Sequence, residues 1–589
     1  MHEDYYTFMS IIFGKGYAAE VPTVAVVGET WYLPNFVVYH PRKPGNLRVV
    51  TDCSASYHGI SLNKQLLQGP DLTNQLIGVL SRFRMEKVAV IADIESMFYQ
   101  VKVPESQQNL LRFVWWPNGD LKKPLKDFVM KVHIFGAISS PSCANFALKK
   151  AANNYESVYG EEIARTLRRN FYVDDMLKCY PSDPVAVESF PKVVSMCDSA
   201  AFHLTKVVSN SREVLKTISK DEVGKEFKEL DLSKDLLPVE RVLGVHWSIE
   251  NDCFGFRITL KDKPMTRRGI LSTISSIYDP LGFAAPYLLQ GKLILQQLCA
   301  DRKGWDDALT DEQRTSWERW RTNLPKLESI KVNRCIKPNE FGPVTNTTLH
   351  HFSDASEIAY GQVSYIRVEN QNGCIHTTFL MGKSRVAPMK QTTMPRLELT
   401  AALVSSRIGN QLKRELDLEK VEEHYWTDSE VVLGYLKNES KRFHSYVAHR
   451  VSDIIKVTKK DRWRYVQSED NPADDATRGL DIDKYKDNLR WFSGPEFINR
   501  PITTTCTREF TVSNDDKEVK ANTINMNKII VKEEFVSRFE RISSWHRLKR
   551  VIARIIQWKR KGRLDVALLQ YAEVCIIKMV QRSCFVKEI

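Results

Sequence analysis

Apolar positions change period repeatedly along the chain, and each period predicts an element. KVAVIADI (87–94) is a continuous apolar run ending at an acid, the pattern of a buried strand. Residues 71–84 place Leu72, Leu76, Val79, Leu80 and Phe83 on one helical face. YLPNFVVYH and LRVVTDCSA, within 31–56, read as two strands around a Pro44-Gly45-Asn46 turn. Ahead of them, residues 1–30 predict a helix entering an apolar strand, VPTVAVVG. A helix is expected from Pro141 to 158, then a short apolar-aromatic segment, NFYVDDMLKCY, at 170–180.

A polar Lys/Glu/Asp-rich stretch at 211–240 gives way to a strand, RVLGVHW (241–247), and then to a mainly helical region at 265–330. The Trp-rich stretch at 305–320 has the spacing of core packing in helices rather than of a stacking platform for bases. Residues 331–346 (KVNRCIKPNEFGPVTN) are polar and contain proline, so a linker is expected there. The pattern then restarts: strands at 347–382, a long helix at 396–416, a strand at 422–427, helices to 457, a strand at 462–467. Residues 502–530 are polar and 533–582 helical and basic. No internal repeat is visible.

Composition narrows the class. Hydrophobic residues at 43% and charged residues at 27% exclude wholesale disorder in this 589-residue chain. Eleven cysteines with no CxxC pair exclude a small disulfide scaffold, argue against a zinc finger and suit a reducing compartment. No apolar run approaches the ~18–20 residues that span a bilayer, and the N-terminus lacks the basic region and cleavage site of a signal peptide. The excess of Lys+Arg (85) over Asp+Glu (72) leaves +13, compatible with simple solvation or with a polyanionic partner.

Two sets of acids carry candidate chemistry. Asp93 ends one apolar strand, and Asp174 and Asp175 sit between Val173 and Met176 in another. Alone, an Asp-Asp pair suits an exposed hairpin tip; with a second strand-end acid it could hold Mg²⁺. In the second set, Asp354 and Asp428 end strands, while Glu398 and Asp474 follow Pro395 and Pro472 near helix starts. Each of these four also suits a helix cap or first-turn charge. Strand–acid, helix–acid, strand–acid, helix–acid is, however, the layout of a ribonuclease H.

FYVDDML resembles the YxDD motif of reverse transcriptases, and ADIESMFYQV their first catalytic strand. HIFGAISSPSCANFAL (133–148), FHLTKVVSNS and VLGVHW are similar to further motifs of those enzymes, in the same order. WYLPNFVVYHPRKPGNLRVVTDCSASYHGISLNKQLLQGPDL, SSIYDPLGFAAPYLLQGKLILQQL, SDAS, KSRVAPMKQTTMPRLELTAA, WTDS and NPADDATRG resemble the Pol polyproteins of BEL/Pao long-terminal-repeat retrotransposons.

This resemblance implies a mixed α/β multidomain chain. Fingers and palm are expected over 1–247, a helical thumb or connection with linker over 248–345, a ribonuclease H-like domain over 346–482, and a C-terminal helical region over 483–589. It implies an RNA-directed DNA polymerase with ribonuclease H activity, acting on an RNA template, a DNA primer, RNA–DNA hybrids and dNTPs. Asp93, Asp174 and Asp175 would hold two Mg²⁺ or Mn²⁺ ions, and Asp354, Glu398, Asp428 and Asp474 two more. Phe98 falls where such enzymes exclude the ribose 2′-OH, although plain core packing would also explain it. Arg48 and Lys43 would meet the triphosphate; Gly136, Ser140 and Pro141 the template–primer and nucleotide. Lys206 would donate a proton to pyrophosphate. The chain departs from related ribonucleases H in WRYVQSEDNPAD, where Tyr465 stands and no histidine precedes the last acid.

By the same resemblance the protein is cytoplasmic in a virus-like particle, or nuclear, and accompanies other Gag and Pol products of an element capable of DNA integration. The absence of a DTG or DSG triplet and the tail from RISSWHRLKR onward predict a Pol fragment without protease or integrase activity. The alternative is an inactive or domesticated nucleic-acid-binding relic on the same fold. GKS (382–384) fails the phosphate-loop pattern because Thr377 stands five before Gly382. His444 and His449 lack a cysteine pair for zinc.

Overall fold

The computed structural model describes residues 2–22, 26, 28–39, 47–228, 230, 235–418, 420–487, 489–500, 510–513, 515–520, 539, 542–560 and 564–584. The chain divides into two compact units, Met1–Lys520 and Ala521–Ile589. No helix among the described residues is long and apolar enough to cross a membrane.

In the first unit, a helix at His2–Gly14 precedes a three-stranded sheet whose centre is Lys126–Met130, flanked by Ala18–Glu20 and Arg112–Trp115. The Asn35–Tyr39 and Leu47–Thr51 strands pair antiparallel, with Val37 opposite Val49; the expected Pro44-Gly45-Asn46 turn between them lies outside the described residues. Half of the strand expected at VPTVAVVG falls outside the described residues, and Val26 within it is exposed.

Next comes a four-stranded antiparallel sheet. Val88–Ile94 lies at its heart between Asp175–Tyr180 and Leu204–Ser209, with Phe171–Tyr172 on the edge. Val88, Ala89, Val90 and Ala92 are buried, as a continuous apolar run requires. The Ser140–Tyr159 helix covers one face, with Pro141 in its first turn, where the missing N–H costs nothing.

RVLGVHW is not one strand. Val239–Val242 and Val245–Ser248 form a tight hairpin, with Leu243 and Gly244 both at positive φ in its two-residue turn. Cys253–Gly255 and Lys331–Asn333 complete this sheet. The expected linker is therefore partly a strand. Its Arg334 is fully buried, its guanidinium donating to the carbonyls of Phe83, Glu86 and Lys87 and pairing with Asp252.

Helices Arg267–Ser275, Ala285–Ala300 and Asp311–Asn323 follow, the last opened by a capping box in which Thr310 and Gln313 bond reciprocally. Trp317 and Trp320 are core residues, but Trp305 is half exposed, with the Arg267 guanidinium 4.3 Å from its ring centroid.

A five-stranded sheet completes the unit. Val344–Ala355 is central, antiparallel to Ala359–Asn370 and parallel to Glu422–Thr427; Ile375–Val386 and Trp463–Tyr465 are the edges. The Met394–Glu415 helix packs on this sheet through Leu399, Ala402 and Leu412. Residues 482–498 pack into the same core: the Trp491 indole N–H and the Tyr485 hydroxyl both donate to the carbonyl of Phe283. GKS lies in the Ile375–Val386 strand, where Gly382 lets the Asp279–Gly282 turn approach; a Cβ on Gly282 would sit 1.9 Å from the Gly382 carbonyl oxygen. In the second unit, Trp545–Arg560 and Val566–Cys584 pair around Leu548, Ile552, Ala553, Ala572 and Ile576.

Candidate catalytic centres

The first centre forms where two strands of the four-stranded sheet meet. The antiparallel register sets Asp93 opposite Asp175. Asp174 occupies the hairpin tip, where the Ile94 N–H donates to its carbonyl at 2.9 Å. Val173 beside it holds φ 58°, a region costly for a β-branched residue, so the tip is a strained turn that presents the acids. Burial, then the Asp174 and Asp93 charges, pushes the Asp175 carboxyl up to about 7. Asp174 is raised too, by burial first, with Asp93 adding and Lys206 opposing. The Lys206 ammonium stands 3.0 Å from Asp93 Oδ1, on a bulged strand where Lys206 itself has φ 54°.

Around these acids the predicted residues divide. Phe98 lies in a 3₁₀ turn, Met97–Gln100, partly buried against the sheet core, its ring centroid 4.6 Å from that of Phe135. Gly136 is held at φ 113°, and a Cβ there would lie 2.3 Å from the Thr51 carbonyl oxygen, so only glycine fits. Ser140 is buried, its hydroxyl donating to the Ile134 carbonyl at 2.7 Å; it braces the loop rather than facing outward. Asn63, unnoticed in the sequence, holds the same loop from the other side. Its amide donates to the Gly136 carbonyl and its oxygen accepts from the Ile138 N–H. The Arg48 backbone pairs with Val38 in the hairpin, and Lys43 lies outside the described residues.

The second centre draws on four elements of the five-stranded sheet's domain. Asp354 is 7% exposed on the central strand, and the Thr477 hydroxyl donates to its Oδ2 at 2.5 Å. Burial first, then the Asp428 charge, pushes Asp354 up to about 7. Glu398, on the first turns of Met394–Glu415, accepts from the Ser429 hydroxyl at 2.6 Å and is raised by burial and by Asp428. Asp428 follows its strand and accepts from the Ser468 hydroxyl at 2.6 Å and the Asn471 amide at 3.4 Å. Asp474, in Ala473–Arg478, pairs with Arg478 at 2.5 Å; burial raises it, Arg478 opposes, and Asp428 adds. Its neighbour Asp475 is buried on Arg490 at 2.7 Å, a structural pair. The Asp428 charge thus acts on all three other acids.

Ser429, Ser468, Asn471 and Thr477 are the residues that sequence reasoning passed over. Ser429 and Thr477 stand inside the motifs WTDS and NPADDATRG, so the signal was present as hydroxyls next to acids. The loop lacking a histidine reaches the centre through Ser468 and Asn471 instead.

Among the described residues no group of three or more His, Cys, Asp and Glu side chains is arranged to hold a metal ion. The donor chemistry nonetheless fits a hard cation: carboxylate oxygens, with Asp175 and Asp354 raised first by burial and then by the charges of neighbouring acids.

A sequence profile described as the Pao retrotransposon-like RNaseH-like domain matches residues 266–429, a span holding Asp354, Glu398 and Asp428. A search of curated proteins finds no match. Among solved structures the chain is similar to the foamy viral protease-reverse transcriptase dRH in complex with ds DNA. The identity is 16% and the TM-score 0.49, over 78% of this chain and 68% of the other. It is also similar to the foamy viral protease-reverse transcriptase in complex with dsDNA, at 16% identity and TM-score 0.49, over 79% and 83%. Residues 266–429 are thus similar to the Pao retrotransposon-like RNaseH-like domain, in agreement with the resemblance its motifs carry.

Proposed function

We propose that the chain is an RNA-directed DNA polymerase with a ribonuclease H, performing phosphoryl transfer at two separate carboxylate centres. The observation that supports this most is the gathering of Asp354, Glu398 and Asp428 within the matched domain, against their mutual repulsion. Folding keeps like charges together at a cost, and a site for cations is the reason such an arrangement persists. Asp93, Asp174 and Asp175 would hold divalent ions at the first centre, and Asp354, Glu398, Asp428 and Asp474 at the second. Mg²⁺ or Mn²⁺ there supplies charge neutralisation and a more acidic attacking oxygen.

The chain's own groups do the positioning. At the first centre the strained tip at Val173 aims the acids, and Lys206 can give a proton to departing pyrophosphate. Phe98, fixed against Phe135, excludes a 2′-OH and so selects dNTPs over rNTPs. Gly136 lets the backbone come close to template and primer. At the second centre Thr477, Ser429, Ser468 and Asn471 each orient a carboxylate towards the scissile RNA phosphodiester of a hybrid. The substrates are then an RNA template, a DNA primer, dNTPs and the RNA–DNA hybrid.

The alternative, a nucleic-acid-binding relic, draws on Lys206 and Arg478, which already neutralise Asp93 and Asp474 without a metal. One assay separates the two: a labelled RNA–DNA hybrid scored for extension and cleavage in one tube with Mg²⁺ or Mn²⁺. Asp174→Asn should stop extension and spare cleavage, and Glu398→Gln the reverse. Each substitution removes a ligand and a charge from one centre only, and charges beyond a Debye length of ~8–10 Å are largely screened. If the parent does neither reaction the relic reading stands, and if Glu398→Gln stops both in a folded protein the two-centre reading falls.

A further inference from the structure

Residues 510–513 and 515–520, C-terminal to every strand of the five-stranded sheet, lie across that sheet's domain. Phe510, Val512 and Val519 pack against the cluster that holds Leu399 and Leu403 of the Met394–Glu415 helix. The backbone is tied down as well. Val519 forms an antiparallel bridge with Phe443. The His444 N–H donates to the Glu518 carbonyl at 2.8 Å, and the Lys520 N–H to the Arg442 carbonyl at 2.8 Å. Buried Tyr435 donates its hydroxyl to Asp516 Oδ2 at 2.8 Å, and the Glu518 N–H donates to Asp516 Oδ1 at 2.8 Å.

This segment meets the second centre from two sides. Glu518 is buried and accepts from Arg396 Nε at 2.6 Å and Nη2 at 3.1 Å, a two-pronged charged pair. Arg396 stands in the first turn of the Met394–Glu415 helix, two residues before Glu398. That turn needs a tether. The first N–H groups of a helix have no partner within it, so helix ends fray, and the N-cap Thr393 lends no side-chain hydrogen bond. Side chains two apart on a helix do not face each other, so Arg396 anchors the turn without neutralising Glu398. The Arg396 guanidinium also lies 4.8 Å from the ring centroid of Tyr446, whose hydroxyl shares a 3.0 Å hydrogen bond with Thr400 on the far side of Glu398. At its other end the segment stacks Phe510 on Tyr465, centroids 6.1 Å apart. Tyr465 ends the strand before the loop whose Ser468 and Asn471 hold Asp428.

We propose that the 510–520 segment clasps the second centre, and that Glu518 is a positioning residue that fixes, through Arg396, the helix turn carrying Glu398. The clasp holds Glu398 in place before a cation arrives, so its loss loosens that turn and weakens Mg²⁺ binding without unfolding the domain. The role in hybrid cleavage rests on the ribonuclease H reading; the hold on the helix does not.

The test is amide hydrogen exchange read by mass spectrometry on the full chain, with and without Mg²⁺. In Glu518→Ala, amides at 394–400 should exchange about 10–100-fold faster than in the parent, the range that loss of a hydrogen-bonded charge gives. Amides at 404–412 of the same helix should keep the parent's rates. Glu518→Gln leaves one acceptor oxygen for Arg396 and should fall between the two; it carries the same measurement if Glu518→Ala does not fold. Mg²⁺ should slow exchange at 394–400 in the parent, and the concentration that does so by half should rise several-fold in Glu518→Ala. Val368→Ala trims a buried side chain in a separate core cluster and controls for a general loss of stability. It should lower the melting temperature and leave both the 394–400 rates and the Mg²⁺ midpoint at the parent's. Unchanged exchange at 394–400 in Glu518→Ala, an unchanged Mg²⁺ midpoint, or an equal change in Val368→Ala would each overturn the proposal. Hybrid cleavage is read separately, and Glu518→Ala should need several-fold more Mg²⁺ to reach half its maximum. A parent that takes up no Mg²⁺ and cleaves no hybrid, with the exchange difference intact, would sink the ribonuclease H reading and keep the clasp.

Discussion

Glu415 and Gly78 lock two distant segments together, and changing both gives a test with a reversal of sign. Arg82, on the Leu76–Arg82 helix, donates to Glu415 Oε2 at 2.7 Å and to the Glu415 carbonyl at 2.8 Å. The two side chains are only 10% and 12% exposed. Arg169 adds a further contact to the same carboxylate at 3.6 Å. Removing one partner of a buried pair costs ~3–5 kcal/mol, because the other charge stays buried. Arg82 keeps the carbonyls of Glu415 and Arg169, so Glu415→Ala belongs at the low end, about 3 kcal/mol.

Gly78 lies one turn before Arg82, and a Cβ there would meet Glu415 Oε2 at 2.2 Å and Cδ at 2.6 Å. The carboxylate is tied to Arg82 and cannot swing aside freely. Overpacking costs ~1–3 kcal/mol, against ~0.5–1 kcal/mol gained when alanine replaces glycine in a helix. Gly78→Ala should therefore destabilise the parent by about 1–2 kcal/mol. In the Glu415→Ala background the obstruction is gone, and the same change should stabilise by ~0.5–1 kcal/mol. The measurement is a double-mutant cycle by urea unfolding monitored at the buried tryptophans. A Gly78→Ala penalty equal in both backgrounds would refute the reasoning.

Phe98→Val should admit rNTPs far better than the parent, with discrimination falling about 10–200-fold, the span that shape exclusion supplies; competitive dNTP/rNTP extension measures it, and unchanged discrimination returns Phe98 to core packing. Asp354 takes its proton at about 7 folded against 3.8 unfolded, so the native state binds more protons between these values and metal-free stability falls as pH rises through them. Asp354→Asn should thus raise the melting temperature relative to the parent at about pH 8 but not at about pH 4, while abolishing hybrid cleavage. His424 is lowered from 6.5 to about 4 by burial and then by Arg464, so its contribution is complete above 6.5 and is lost as pH falls towards 4; His424→Gln should flatten that part of the stability profile, read by urea midpoints. Mg²⁺ should raise the parent's melting temperature in proportion to the logarithm of its concentration, and should do so less in Asp93→Asn or Glu398→Gln.

Much of this architecture was readable because local period encodes local structure. KVAVIADI reads as a buried strand, and the helix from Pro141 and the long helix carrying Glu398 follow from apolar spacing and proline position. Misreadings came where a local pattern is degenerate. Leu243-Gly244 breaks an apolar run into a hairpin, yet glycine in a strand reads equally as a bulge. The 331–346 segment is polar, and polarity usually means solvent; here Arg334 is buried because carbonyls of the 83–87 turn and Asp252 satisfy its donors. Residues from 483 onward read as a separate C-terminal region, but Tyr485 and Trp491 bury against Phe283, a partner some 200 residues away.

For the candidate sites, the sequence by itself determined which acids end strands and open helices, since charge at the edge of an apolar run is a local fact. It also carried the ordered motifs behind the Pao-type resemblance. Tertiary structure decided which acids meet: the register of Asp93 against Asp175, the influence of Asp428 on Asp354, Glu398 and Asp474, and the turning of Asp475 to Arg490. It also decided that Ser140 points inward and that Thr477, Ser429, Ser468 and Asn471 point to the acids. The reason is physical. A hydrogen bond or a Coulomb contact depends on distance in space, and strand pairing and packing set that distance between residues far apart in the chain.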